Sequence, residues 1–262
     1  MRTVSVTPGG ACIRWVEIAG GSTPARVYVH GLGATSGPYF TPSATHPALA
    51  GHRSLLVDLL GFGISDRPAE FGYTLEEHAD SLAVALRAAE VAGADVIGHS
   101  MGGSVAILLA TRHPELVGRL VLIDANLDPA MPQRGAIGSS GIASYSEQEF
   151  LDLGRSEVRE QVGAHWWSTM RLAGPVALHR SAVGLARGSS PTMREQLLQL
   201  SIPRGYLYPS DHEAPSGAGQ LTEAGVTVLG IPDSGHNIML DNVDAFAEAT
   251  AALLDPLPQS TR

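Results

Sequence analysis

The sequence predicts an α/β fold: a mainly parallel sheet flanked by helices, with a helical cap inserted between two of the later strands. Short runs rich in Val, Ile and Leu alternate with longer stretches of helical periodicity along most of the chain. That alternation is the pattern of strands buried on both faces and joined by crossover helices. One stretch, from about 126 to 200, breaks it with helix-like pieces alone.

Seven runs read as strands: CIRWVEIA (12–19), ARVYVH (25–30), SLLVD (54–58), ADVIG (94–98), LVLID (120–124), RGYLY (204–208) and VTVLGI (226–231). A helix follows the third, where Thr74 and Glu77 form a capping box ahead of Leu75, Ala79, Leu82 and Leu86, and Gly93 stops it. A second runs from Met101 to about His113, with Pro114 just beyond it. A last helix spans about 243–254, and Pro256 and Pro258 are expected to end the ordered structure. The interrupted stretch opens with a loop rich in Gly, Pro and Ser, then gives helical pieces around 147–161, 163–172, 175–187 and 191–200. An all-helical insertion at this point reads as a cap over the carboxyl edge of the sheet, where open α/β sheets bind ligands. The expected division is a core of residues 1–125 and 201–262 and a cap of residues 126–200.

Composition narrows the chemistry. With 44 % hydrophobic residues in 262, the chain can build one sizeable core, which excludes intrinsic disorder. No apolar run is long enough for a membrane span, and MRTVSVTPGG lacks the apolar core of a signal peptide. A soluble, cytoplasmic protein is expected. The net charge of −9 has the wrong sign for a nucleic-acid or anionic-membrane binder, so neither partner is expected. All 17 basic residues are arginine, which removes Schiff-base chemistry and the lysine-dependent phosphate loop. The single cysteine, Cys12, excludes an intrachain disulfide and cysteine-based metal sites. No cofactor and no metal are expected, because no clustered ligand spacing occurs. The chemistry must come from Ser, His, Asp, Glu and Arg.

The sharpest motif is GHSMG, residues 98–102, between the strand ADVIG and the helix that starts at Met101. In a strand–turn–helix context, G-x-S-x-G puts a serine on a tight, strained turn, with glycines allowing strand and helix to approach. Ser100 is therefore the expected nucleophile. A serine needs a base, and His236 in PDSGHNIMLDN follows the last strand, at the same sheet edge as Ser100. His99 is expected to pack beneath the turn, since consecutive side chains point apart. HGLG, residues 30–33, follows another strand. Its Leu32 N–H and the Met101 N–H form the natural pair of oxyanion donors, each contributing on the order of 3 kcal/mol in the transition state. Gly31 and Gly33 would border the substrate.

Taken together, HGLG, DLLGFGISDRP (58–68), GHSMGG, HPELVGRLVLID (113–124) and PDSGHNIMLDN (232–242) resemble the α/β-hydrolase superfamily over nearly the whole chain. The resemblance implies Ser100 as nucleophile, His236 as base, Leu32 and Met101 as the oxyanion hole, and a helical cap after the sixth strand. A serine at this position sets the chain apart from the dehalogenase and epoxide-hydrolase branches. The family pattern places the third triad member in a G-x-x-D turn after the seventh strand. Here that region reads YLYPSDHEAP, with Pro209 at the glycine and Asp211 one place early. The alternative is Asp124, directly after the sixth strand, as in fungal lactone hydrolases that open zearalenone, which the DANLDP run also resembles. Both strand ends can reach the imidazole; Asp124 is preferred and Asp211 is the alternative. Asp58 reads as structural, with Arg67 as its partner.

The cap supplies Tyr145, Trp166, Trp167 and Met170. If these line the site, the pocket is apolar and suits a bulky hydrophobic acyl, aryl or macrolactone substrate. Arg155, Arg159 and Arg171 read as a solvated helix surface, and His165 could face the substrate. The expected partner is a hydrophobic small molecule, with a homodimer left open. The expected function is an ester or lactone hydrolase acting through an acyl-enzyme. Thioester or C–C hydrolysis, and a non-catalytic small-molecule receptor, are the alternatives.

Overall fold

The protein is described here from a computed structural model over residues 1–254; the expectation for Pro256 and Pro258 lies outside these residues. In chain order the elements open with β1 (Arg2–Ser5), β2 (Cys12–Ile18), β3 (Ser22–Val29), α1 (Ser36–Ala44), β4 (His52–Asp58), α2 (Leu75–Ala88), β5 (Ala94–His99), α3 (Met101–Arg112) and β6 (Val117–Ile123). The insertion follows: α4 (Ser139–Ile142), α5 (Glu147–Glu149), a π-helical turn (Phe150–Gly154), α6 (Arg155–Gln161), α7 (Ala164–Met170), α8 (Pro175–Arg187) and α9 (Met193–Gln199). The chain then completes β7 (Arg204–Pro209), α10 (Ala218–Glu223), β8 (Val226–Ile231), α11 (Ile238–Asp241) and α12 (Val243–Leu254).

The strands form one sheet in the order β1-β2-β4-β3-β5-β6-β7-β8. β1 and β2 run antiparallel to their neighbours, and every other pairing is parallel. Each central strand is apolar throughout because both its faces are covered. Val27 and Val29, Leu55 and Val57, Val96, and Leu120 and Leu122 face one core, with α2, α3 and the insertion. Tyr28, Leu56, Ile97, Val121 and Ile123 face the other, with Phe40 of α1 and Phe246 of α12. The alternation is the two-residue period of a strand.

Five of these elements were not foreseen in the sequence: β1, α1, α4, α10 and α11. The α1 segment, SGPYFTPSA, carries Gly37, Pro38 and an internal Pro42, so local propensity argued against a helix there. Burial of Tyr39 and Phe40 overrides it. The α2 capping box is present as read, with Thr74 Oγ1 accepting from the Glu77 N–H and the Glu77 carboxylate accepting from Thr74 N–H. Asp58 is structural, but Arg67 is not its partner. Its carboxylate accepts from the Ser36 and Ile64 N–H groups at 2.7 and 2.9 Å. Arg67 instead donates to the Leu172, Ser65 and Gly63 carbonyls, tying the insertion to the core. Gly174 N–H to Gly61 O, at 2.8 Å, makes a second tie.

A third tie has a consequence for acid stability. His78 of α2 is fully buried among Phe62, Phe71 and Tyr73, with Nε2 3.0 Å from Ser181 Oγ on α8. Burial, helped by nearby His30, pushes its pKa down to about 3. The unfolded chain therefore binds this proton below pH about 6.5 while the native state does not. Stability present at neutral pH is lost as pH falls from there toward 3. At about 1.4 kcal/mol per unit, urea unfolding at pH 5 should show about 2 kcal/mol less stability from this side chain than at pH 7. A His78→Leu variant should lack that part of the pH slope whatever its stability at pH 7. An unchanged slope would refute this reading of His78.

Candidate active site

The parallel registers align the carboxyl ends of the central strands, Val29 opposite Gly98, His99 opposite Ile123 and Ile123 opposite Leu207. The HGLG loop, Ser100 and Asp124 therefore emerge side by side. Two hydrogen bonds carry the ladder one residue past the strands, Ser100 N to Ile123 O and Asp124 N to Leu207 O, both 2.8 Å.

Ser100 joins β5 to α3 at φ 51° and ψ −118°, a backbone region that costs a non-glycine residue of order 1–3 kcal/mol. The neighbouring glycines explain how the turn closes. A Cβ on Gly98 would lie 2.5 Å from Gly102 O, and one on Gly102 would collide with the carbonyl oxygens of Val29 and His30. Ser100 Oγ donates to Asn126 Oδ1 at 3.3 Å. Leu32 and Met101 are buried, and neither backbone N–H donates to an acceptor among the described residues. His30 shapes the Leu32 loop: one ring nitrogen bonds Gly31 O at 2.8 Å, and the other accepts from Leu59 N–H at 3.1 Å.

His236 lies in the loop between β8 and α11, where Gly235 N–H donates to the Asp241 carboxylate at 2.9 Å. Its Nδ1 is 2.6 Å from Asp124 Oδ2. A carboxylate only accepts, so the proton sits on Nδ1 and Nε2 is left with its lone pair. Asp124 has φ 41°, and the segment it begins is pinned by Tyr206 Oη to Ala125 O at 2.9 Å and Ser104 Oγ to Asn126 O at 2.8 Å. Asp211 is exposed in the turn after β7, and among the described residues no hydrogen bond links it to His236.

Ser100 and His236 share one cavity of about 410 Å³, whose walls include Leu32, Tyr39, Asn126, Trp166 and Leu185. Gly31, Ala34, Ile137 and Ser139 also border it. Burial pushes the Tyr39 hydroxyl pKa up, so it stays an uncharged hydrogen-bonding group.

The aromatics of the insertion divide. Trp166 lines the cavity, and its indole N–H donates to Leu32 O at 3.0 Å. Tyr145, Trp167 and Met170, expected at the substrate, are not on the cavity wall. Tyr145 is turned into the insertion, with its hydroxyl 2.5 Å from Glu157 and Arg134 stacked over its ring. Trp167 sits beside Arg155 and Arg159. Met170 is fully buried and packs where a Cβ on Gly33 would point, and Gly33, also expected at the substrate, is not on the cavity wall. His165 is exposed and packs 6.0 Å from the Tyr39 ring, outside the wall.

Tyr39, Asn126 and Leu185 were not foreseen at the site. Tyr39 belongs to the helix hidden by its prolines. Asn126 had a signal, being two residues beyond Asp124 on the same strand end. Among the described residues no three His, Cys, Asp or Glu side chains gather as a metal site requires, and no helix is long and apolar enough to cross a membrane.

A family model of the alpha/beta hydrolase fold matches residues 26–152. The 2-hydroxymuconate semialdehyde hydrolase of Pseudomonas sp. (strain CF600) is 41 % identical over 96 residues, 36 % of this chain and 34 % of that protein. The match thus spans about a third of that relative's length. The dihydrolipoyllysine-residue acetyltransferase component of the acetoin cleaving system of Pseudomonas putida is 38 % identical over 263 residues, 94 % of this chain and 67 % of that protein. Among solved structures, an esterase from Exiguobacterium antarcticum superposes with a TM-score of 0.78 over 97 % of this chain and 99 % of that one, at 20 % identity, a likeness of fold.

Proposed function

The chain belongs to the alpha/beta hydrolase superfamily, and from that premise we propose that it is a serine hydrolase cleaving a carboxylic ester or lactone of an uncharged, hydrophobic small molecule. The observation that carries the reading is the 2.6 Å Asp124–His236 contact at the cavity that also holds Ser100. In the proposed reaction His236 Nε2 takes the Ser100 hydroxyl proton as Oγ bonds to the acyl carbon, and the carbonyl π pair moves onto oxygen. The oxyanion rests on the Leu32 and Met101 N–H groups. It collapses, the C–O bond breaks, and the leaving alcohol takes the proton from His236. Water, deprotonated by the same nitrogen, then releases the acid and restores Ser100. Residues 126–200 serve as the cap over this site, with Trp166, Leu185 and Ile137 as its apolar contribution.

An uncharged substrate is favoured because no Asp, Glu or Arg is among the described residues lining the cavity, and the chain contains no lysine. Burying an unpaired ion there would be costly. C–C bond hydrolysis is the second reading, favoured by the 41 % identity to a hydrolase of 2-hydroxymuconate semialdehyde over part of the chain. A panel of neutral p-nitrophenyl esters, lactones, thioesters and vinylogous 1,5-diketone acids, each against wild type and Ser100→Ala, decides between them. Turnover of neutral esters or lactones, absent in Ser100→Ala, is expected. Preferential cleavage of the diketone acids would replace the ester reading. Binding without turnover would make the protein a receptor.

A further inference from the structure

Among the described residues the cavity wall contains one histidine that the reaction above does not use. His99 ends β5, one residue before Ser100, and its ring is buried. It does more than pack beneath the turn: the ring reaches the loop that carries His236. Its Nε2 lies 2.9 Å from the His236 carbonyl oxygen, and the two ring centroids are 4.6 Å apart. A carbonyl only accepts, so Nε2 must carry the proton and Nδ1 the lone pair. Among the described residues Nδ1 is buried with no hydrogen-bond partner. A Cβ on Gly31 would sit 2.9 Å from that nitrogen and 3.1 Å from the Ser100 Cβ. One ring thus touches the HGLG loop, adjoins the serine turn and bonds the backbone of His236.

We infer that His99 is a positioning residue for the reaction, fixing the height of His236 over Ser100 through its Nε2–H bond to the His236 carbonyl. The need for such an anchor is visible in the exposure of the base. The His236 side chain is 53 % exposed, so packing does little to hold it. Asp124 restrains its ring, and His99 restrains its main chain. The groups facing His99 are His236, with Asp124 behind it, Tyr39 of α1 at 6.2 Å between rings, and His30 from the end of β3. Burial first, and then the proximity of His236, keeps the His99 imidazole neutral, its pKa well below the ordinary value. Neutrality suits the role, because a cation here would oppose the imidazolium that His236 becomes in each half of the reaction.

The inference rests on the proposed hydrolase reading, and its test separates the two. His99→Phe removes the N–H and keeps a ring; His99→Gln places an amide N–H at the same remove from Cβ as Nε2. Steady-state hydrolysis of p-nitrophenyl acetate, the rate of Ser100 labelling by a fluorophosphonate, and thermal melting are measured on wild type and both variants. Misplacing a base by a fraction of an ångström to an ångström costs up to about a hundredfold in rate. His99→Phe should lower kcat and the labelling rate together by about tenfold to a hundredfold, with KM within about twofold. His99→Gln should recover most of that loss even if both variants melt equally early. Equal kcat in wild type and His99→Phe would overturn the inference, as would a loss confined to KM. So would a glutamine variant as slow as phenylalanine at equal folded fraction. A wild type that neither turns over nor labels would instead sink the hydrolase reading, and the role of His99 with it.

Discussion

Replacing Asp124 by Asn should lower kcat about 10⁴-fold, the loss seen when the acid of a serine triad is made an amide, and leave the fold intact. The physical basis is the 2.6 Å contact to His236 Nδ1. A carboxylate there accepts the Nδ1 proton, keeps Nε2 free to take the serine proton, and stabilises the imidazolium that results. An amide can offer N–H to Nδ1 instead and hold the ring in the tautomer with Nε2 already protonated. Stability should change little, because Asp124 sits at φ 41°, a region asparagine tolerates as well as aspartate. Its backbone ties to Leu207, and that of Ala125 to Tyr206, do not involve the carboxylate. Asp211→Asn is the matched control. Exposed in the turn after β7, it should keep kcat within about twofold, as surface substitutions away from such features are close to neutral. Steady-state kinetics on the two variants, with circular dichroism to verify folding, makes the comparison. Full activity in Asp124→Asn with collapse in Asp211→Asn would move the acid to the seventh strand.

The parts of this site that were legible in the sequence are those fixed by local backbone chemistry. Gly98 and Gly102 around Ser100 announce a turn that no other residues fit, and the structure shows the carbonyls that a Cβ would strike. The apolar runs announce strands because a parallel sheet buried on both faces leaves nowhere for polar residues. The position of His236 after the last strand followed from the same logic, since parallel strands deliver all their carboxyl ends to one edge. The choice of acid was open in sequence because two strand ends lie beside the imidazole. What separates them is a distance between side chains 112 positions apart.

The remainder depends on contacts that no local pattern encodes. Tyr39 reaches the cavity from a helix containing Pro38 and Pro42, formed because tertiary burial outweighs propensity. Trp166 and Trp167 look equivalent in sequence, yet adjacent helical residues point about 100° apart. One enters the cavity wall and the other meets Arg155 and Arg159. Tyr145 and Met170 are apolar enough to pass for ligand contacts in sequence, but Tyr145 packs inside the insertion and Met170 packs against Gly33 of the core. The sequence places His99 beneath the serine turn, but its ring lies on the cavity wall and bonds the His236 backbone, a contact no local pattern encodes.

In the proposed reaction the acyl-enzyme on Ser100 is the step that the other residues serve, and it can be observed directly. Rapid mixing of the wild type with a p-nitrophenyl ester should release a burst of p-nitrophenol proportional to enzyme concentration, with the acyl mass recovered on the peptide containing Ser100. Ser100→Ala should abolish the burst and the adduct and lower turnover on the order of 10⁶-fold, the scale of a lost serine nucleophile. A Ser100→Ala variant that still turns over the ester at the wild-type rate, or an adduct on any other residue, would contradict the assignment of Ser100 as nucleophile.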